Sequence, residues 1–154
     1  MTGEAPVDLA PVRGAVRAAL RPYGLPVDAA VAIAFIEDDA MRALNARYRR
    51  KDRTTDVLSF GQTTRRAKGA TAVARLRREA DGSLEVGDIV ISVPQARRQA
   101  RRKGHPLWKE IAFLAAHGAL HLLGFEDSSR AGYREMVALG TAAVAKGSKT
   151  VRTA

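Results

Sequence analysis

The chain has 154 residues, 46% of them hydrophobic, with 26 lysines and arginines against 16 acids for a formal net charge of +10. That apolar content excludes wholesale disorder, and the lack of any repeat with a period of roughly 20–50 residues excludes a solenoid, so the length reads as one domain with its own core. With no cysteine, disulfides, thiolate nucleophiles and sulfur-ligated zinc are excluded, and any metal must be held by imidazole and carboxylate.

In chain order, Leu9, Val12, Val16 and Leu20 recur at helical spacing within residues 7–20, and Pro22 closes the segment. Residues 31–36 are a short, strongly apolar run that predicts a strand. The acids Glu37, Asp38 and Asp39 suit the positive end of a following helix that carries Met41 and Leu44. Residues 45–55 are polar and basic and read as a loop. A brief apolar strand over 57–60 follows, then a flexible stretch to Gly69. Residues 71–78 and 84–92 read as two strands of a hairpin around Asp81-Gly82, a strong turn dipeptide, and Gly87-Asp88 suggests a bulge in the second. Pro94 fits the first turn of the next helix, which Gly104 ends. Residues 106–122 form the clearest helix, with Leu107, Ile111, Leu114 and Gly118 in one packed stripe. A last helix starts near Ser128 or Ser129. The sum is a single α+β domain over residues 1–154. It has a small mixed sheet of about four strands, about five helices, and a short flexible tail from about residue 147.

The positive charge is clustered. Arg47, Arg49, Arg50, Lys51 and Arg53 crowd one segment, followed by Arg65, Arg66 and Lys68, then Arg75, Arg77 and Arg78, then Arg97, Arg98, Arg101, Arg102 and Lys103. Such clusters favour a polyanionic partner, nucleic acid before an anionic membrane surface. The first residues lack a secretory leader's basic region and apolar run. No stretch approaches the roughly 20 apolar residues of a membrane span, so a cytoplasmic location is expected. Only 5% of residues are aromatic. Tyr48, Phe60 and Phe125 are candidate stacking surfaces for an unpaired base, but arginine contacts to the backbone should dominate.

Two of the three histidines occur as His117-Gly118-Ala119-Leu120-His121. Four residues is slightly more than one helical turn, so both imidazoles share a face and can bind one ion. Gly124 is suited to the left-handed conformation that stops a helix, and the returning chain carries Glu126 and Asp127. Two nitrogens and a carboxylate oxygen leave one tetrahedral position open, the layout of a catalytic metal site. Asp127 or Ser128 could instead cap the last helix. A metallopeptidase places glutamate directly after the first histidine as general base; Gly118 occupies that position and argues against peptide hydrolysis. His105, just before Pro106, reads as a surface or helix-start residue outside the site.

The run from His117 through Gly124-Phe125-Glu126-Asp127 closely resembles the signature of the bacterial YbeY family. A second matching block is Asn45, Tyr48-Arg49, Lys51-Asp52 and Thr55-Asp56-Val57-Leu58-Ser59-Phe60, and a third is Gly87-Asp88-Ile89-Val90-Ile91-Ser92. Together they carry the resemblance over roughly residues 30–140. It implies a small α+β fold and a metal-dependent, single-strand-specific endoribonuclease acting in ribosomal RNA processing and ribosome quality control. The implied partners are RNA, the small ribosomal subunit and ribosome-associated proteins. The implied cofactor is one zinc ion held by three ligands on and after one helix. His117 and His121 match the first two. The family's third ligand is normally histidine; Asp127 stands there, and Glu126 stands where the family has aspartate. The added oxygen also suits Mn2+ or Mg2+. Arg49 matches the family's functionally implicated arginine. The resemblance thus implies catalytic roles for Arg49, His117 and His121, and RNA contacts from Arg47, Arg49, Arg50, Lys51 and Arg53. Asp56 reads as a brace for the loop, for Arg49 or for a metal ligand, and Ser59 as a structural hydroxyl. A second function stays open: a ribosome-associated RNA-binding factor whose metal site is structural or vestigial.

Overall fold

The strand β3 (Leu84–Ser92) is the one around which the sheet assembles. The structure, a computed structural model, describes residues 5–62 and 66–153, with side chains up to residue 148; Arg65 of the second basic cluster lies outside the described residues. Ile89, Val90, Ile91 and Ser92 are all buried, as a strand covered on both faces requires. On one edge β1 (Ala29–Ile36) runs parallel to β3, and on the other β2 (Val57–Gly61) runs antiparallel, giving the order β1-β3-β2. The expected irregularity at Gly87 is present: Ala30 pairs with Glu85 and Val31 with Gly87, leaving Val86 as the extra residue.

Helices cover both sheet faces. On one side Met41 of α2 (Asp38–Arg49) meets Leu58 and Val90. On the other, α1 (Ala10–Leu20) and α5 (Leu107–Leu122) share the main core with Val86, Ile89 and Ile91. The short α3 (Ala70–Ala74), α4 (Val93–Lys103) and α6 (Arg130–Thr153) complete the domain, with a 3₁₀ turn at Arg21–Tyr23. Among the described residues no helix is long and apolar enough to cross a membrane.

The architecture is α+β with a mixed sheet, but among the described residues three strands and six α-helices replace the expected four and five. The predicted hairpin partner over residues 71–78 is not a strand. Both edges of β3 are already taken by β1 and β2, so no ladder position remains for it. Its alanine-rich start forms α3 instead. Residue 77 is held by a single side chain: Gln62 accepts from the Arg77 N–H at 2.8 Å and donates to the carbonyls of Arg77 and Glu85. The Asp81-Gly82 turn does form, with Gly82 at φ 87°, but it leads from a loop into β3. The expected loop over 45–55 also starts late. Asn45 is buried and donates to the Arg53 carbonyl at 2.8 Å, so α2 continues to Arg49 and ends at Arg50 in the left-handed region.

At the C-terminal end, α6 continues to Thr153 through the segment whose composition reads as a tail. Its Ala143 and Val144 are buried in the core beside Val12 and Ala15 of α1. The two helices cross at Gly14 and Gly147, where a Cβ on Gly147 would run into the backbone of Gly14 and Ala15. Glycine to alanine inside a helix ordinarily gains about 1 kcal/mol, whereas overpacking costs about 1–3 kcal/mol. With rigid backbone as the obstacle, the second effect wins. Gly147→Ala is therefore expected to lower Tm by roughly 2–8 °C in a thermal melt; an unchanged or higher Tm would show that the crossing tolerates a methyl group.

Candidate metal centre

The helix α5 is buried almost throughout, and its C-terminal turn brings two imidazoles out of the core. His117 is buried and His121 partly exposed. As one turn of helix dictates, their rings meet edge-on with centroids 4.8 Å apart. Past them the chain reverses: Gly124 N–H donates to the His121 carbonyl and Phe125 N–H to the Leu120 carbonyl. This is the double bond pattern of a Schellman stop. Gly124 has φ 84°, and the Ala67 carbonyl stands where its Cβ would be, so no other residue fits the turn without strain.

The reversal delivers Asp127. Its Oδ2 lies 3.0 Å from His117 Nε2 and 3.4 Å from His121 Nε2, and the two nitrogens are 3.2 Å apart. The Phe125 carbonyl accepts a bond from His121 Nδ1 at 2.9 Å. That places the proton on Nδ1 and leaves the Nε2 lone pair facing Asp127 and His117. One proton on His117 Nε2 can satisfy only one of its two acceptor neighbours, whereas a cation satisfies all three atoms. The triangle's edges also match the separation of about 3.3 Å between ligands on a tetrahedral ion with bonds of about 2.0–2.1 Å. These three residues therefore fit a divalent metal, and they form a potential metal-binding group among the described residues.

The electrostatics agree. Burial, then repulsion from His121, push the His117 pKa below its ordinary value, so its imidazole is neutral at neutral pH and has a lone pair to offer. Partial burial opposes ionisation of Asp127, but its electrostatic interaction with His121 and the bond to His117 outweigh it and hold its carboxyl below its ordinary pKa. His117 Nδ1 is buried without a hydrogen-bond partner among the described residues; the neighbouring Phe113 ring lies 5.9 Å away.

The triad opens into a groove of about 590 Å³ that Arg49, Lys51, Arg53 and Asp56 also line. Its basic loop is pinned through its backbone and its own acid. Arg42 binds Asp52 through two bonds of 2.8 and 3.2 Å, Asn45 holds the Arg53 carbonyl, and Thr54 donates to Asp38 at 3.1 Å. Asp38 also takes bonds from Ser92 at 2.8 Å and Arg98 at 2.8 Å. The side chains of Arg49, Lys51 and Arg53 are left exposed, with no ion pair among the described residues. Arg47 lies over the Tyr48 ring at 5.3 Å. Neither it nor Arg50 lines the groove.

Several roles left open by the sequence are now settled in space. Ser59 donates to the Gly118 carbonyl at 2.9 Å and fastens α5 to β2. Ser129, not Asp127, caps α6 by accepting from Gly132 N–H. Gly118 faces the sheet, where a Cβ would stand 2.7 Å from Ile89, so a metallopeptidase glutamate has no room there. Phe125 is buried and offers no stacking surface, whereas Tyr48 is exposed and packs edge-on against Phe60. Sequence reasoning missed the chain behind the site. Glu110 is fully buried, bonded to Lys103 at 3.0 Å, His105 at 2.8 Å and Gln99 at 2.8 Å, and Gln99 also reaches Asp56 at 3.3 Å. The available signal was Glu110 standing within the apolar stripe of Leu107, Ile111 and Leu114.

Comparison with known proteins gives a consistent result. The family model described as endoribonuclease YbeY matches residues 9–147. The chain is 41% identical over 115 residues to an endoribonuclease YbeY of Desulforamulus reducens, covering 75% of this chain and 70% of that one. It is 42% identical over 123 residues to that of Moorella thermoacetica, covering 80% and 76%. A solution structure of a Thermotoga maritima protein superposes with a TM-score of 0.61 at 21% identity, over 98% of this chain and 89% of that one, a likeness of fold.

The geometry separates Asp127 from its exposed neighbour Glu126. Asp127→Ala is expected to weaken zinc binding by more than about 100-fold, while Glu126→Ala retains the metal and Asp127→His preserves or tightens it. Zinc titration against a competing chelator decides this; tight binding in Asp127→Ala together with loss in Glu126→Ala would reverse the assignment.

Proposed function

The chain belongs to the YbeY endoribonuclease family, and from that premise we propose that it is a metal-dependent endoribonuclease that cleaves single-stranded RNA during ribosomal RNA processing and ribosome quality control. The observation that carries this reading is the convergence of His117, His121 and Asp127 at the mouth of a groove whose other wall is Arg49, Lys51 and Arg53. We assign the metal as zinc, with Mn2+ or Mg2+ as the alternatives that the carboxylate ligand suits. The substrate partners are ribosomal RNA and the small ribosomal subunit, and the setting is the cytoplasm.

A divalent ion in such a site supplies an acidified water and polarises a phosphate oxygen. The rest falls to the chain. His121, held by the Phe125 carbonyl, keeps its Nε2 turned towards His117 and Asp127, with which it would hold the ion. Asp127 adds a negative charge where the family has a neutral ring, which makes the site less positive. Arg49 stands across the groove, without an ion pair among the described residues. Its planar fork can take two phosphate oxygens at once and so fix the scissile group while meeting the charge that builds on it. Lys51 and Arg53 grip flanking phosphates, and Arg47 and Arg50 extend the basic surface beyond the groove. With contacts aimed at backbone, sequence choice falls to the ribosomal particle and its proteins.

Removing the metal is expected to abolish cleavage of a single-stranded RNA, reconstitution to restore it, and His121→Ala to remain inactive with added metal. RNA that is bound but not cleaved by the metal-loaded parent would leave an RNA-binding factor with a structural or vestigial site, and cleavage that persists in metal-stripped protein and in His121→Ala would remove the metal from the chemistry. In the same assay Arg49→Lys is expected to slow turnover by roughly ten- to hundredfold, the loss of a charge-assisted bond, while RNA affinity falls only modestly. Unchanged turnover would reduce Arg49 to general electrostatic surface.

A further inference from the structure

On the side of the triad away from the basic loop lies a second groove, between α5 and α6, of about 1080 Å³. It is not a separate site, because Asp56, His117 and Asp127 line both grooves. The two walls differ in chemistry. The first groove presents guanidinium and ammonium groups, whereas the second presents Trp108, Phe113, Tyr133 and Val137. The Phe113 ring lies 5.9 Å from that of His117 and tilts from it by 31°, so the aromatic wall begins directly beside a metal ligand. Tyr133 is 55% exposed, far more than an isolated packing role requires. Above this wall, Arg102 and Lys109 line the groove without an ion pair among the described residues. Lys103, held by Glu110, stands over the Phe113 ring at 5.1 Å.

A polynucleotide bound across the triad must leave it on both sides. On one side this molecule offers the exposed cations Arg49, Lys51 and Arg53; on the other it offers aromatic faces rimmed by cations, the combination that binds unpaired bases and their phosphates. The volume, just above the roughly 300–1,000 Å³ typical of ligand sites, accommodates more than a single base. We infer that the α5–α6 groove seats a nucleobase of the single-stranded RNA next to the scissile phosphate. This rests on the endoribonuclease reading and gives its single-strand requirement a physical cause: a paired base cannot turn its face to Trp108 and Tyr133, so duplex RNA loses this contact.

The chain has one tryptophan, and it lines this groove. The metal-loaded full chain is titrated with a 2′-O-methyl single strand of about eight nucleotides, within the span that single-strand grooves cover. That strand keeps bases and phosphates and resists cleavage. An abasic strand of equal length and a duplex serve as controls, and occupancy is followed by anisotropy of labelled RNA. The base-bearing strand is expected to quench Trp108 emission at saturation, while neither control does. Tyr133→Ala is expected to bind about five- to tenfold more weakly, the loss of one stacking face, and Tyr133→Phe to bind as the parent. The parent is assayed in parallel for cleavage of the unmodified RNA. Cleavage with unchanged Trp108 emission and parent-like binding by Tyr133→Ala overturns the inference and assigns the groove to another occupant, such as a protein. Quenching by bases without cleavage supports the seat and sinks the nuclease reading instead.

Discussion

A helix surrounded by apolar neighbours has to deliver two imidazoles to solvent without exposing its core, and the rest of the molecule follows from that constraint. Along α5, Ile111, Ala112, Ala115, Ala116 and Ala119 are fully buried, which anchors the helix against sheet, α1 and α6. Small residues let neighbours approach closely, and the Ser59 hydroxyl ties the Gly118 carbonyl to β2 between the two histidines. Rotation or sliding of α5 would break that bond and move the imidazoles relative to the groove. The Schellman stop then fixes the third ligand's return path, so the triad is set by backbone geometry before any ion arrives.

The opposite wall is organised by a different economy of charge. The acids near the basic loop are already engaged: Asp52 by Arg42, and Asp38 by Arg98, Ser92 and Thr54. Hydrogen bonds to Asp38 outweigh its partial burial and keep its carboxyl below the ordinary pKa. The loop backbone is thus held still while Arg49, Lys51 and Arg53 keep their full charge for a ligand. Behind the site, Glu110 plays the matching part for α4. Its burial opposes ionisation, but Lys103, Gln99 and His105 outweigh that and hold its pKa below the ordinary value. The stability of this contact is therefore present above the usual glutamate range and is lost as pH falls through the depressed value.

What was legible in the sequence was what depends on near neighbours along the chain. The spacing of His117 and His121, the stop at Gly124 and the caps at Pro94 and Gly104 are all decided within a turn or two of helix. The position of Asp127 followed from family spacing, and the coordinates bring it to both histidines. Features set by distant partners were misread. Residues 71–78 have a plausible strand pattern, yet nothing local reveals that β3 has no free edge. Asn45 looks like the start of a loop because its partner, the Arg53 carbonyl, lies eight residues on. His105 gave no sign of Glu110, and the aromatic wall of Trp108, Phe113 and Tyr133 exists only once α6 folds back along α5.

The sheet order also dictates a timetable. The central strand is the last of the three in the chain: Ala29 must wait for Leu84, and Val57 for Ile91, before either finds its partner. During synthesis β1 and β2 therefore emerge as two unpaired strands with nothing to pair against. The helix that covers β2 and β3, α5, follows later still. Ordering of the sheet is delayed until most of the domain has left the ribosome, and the non-local pairing makes that step slow relative to helix formation. A protein whose proposed work is on ribosomes would itself expose unpaired strand edges, an aggregation hazard, while it is being made on one.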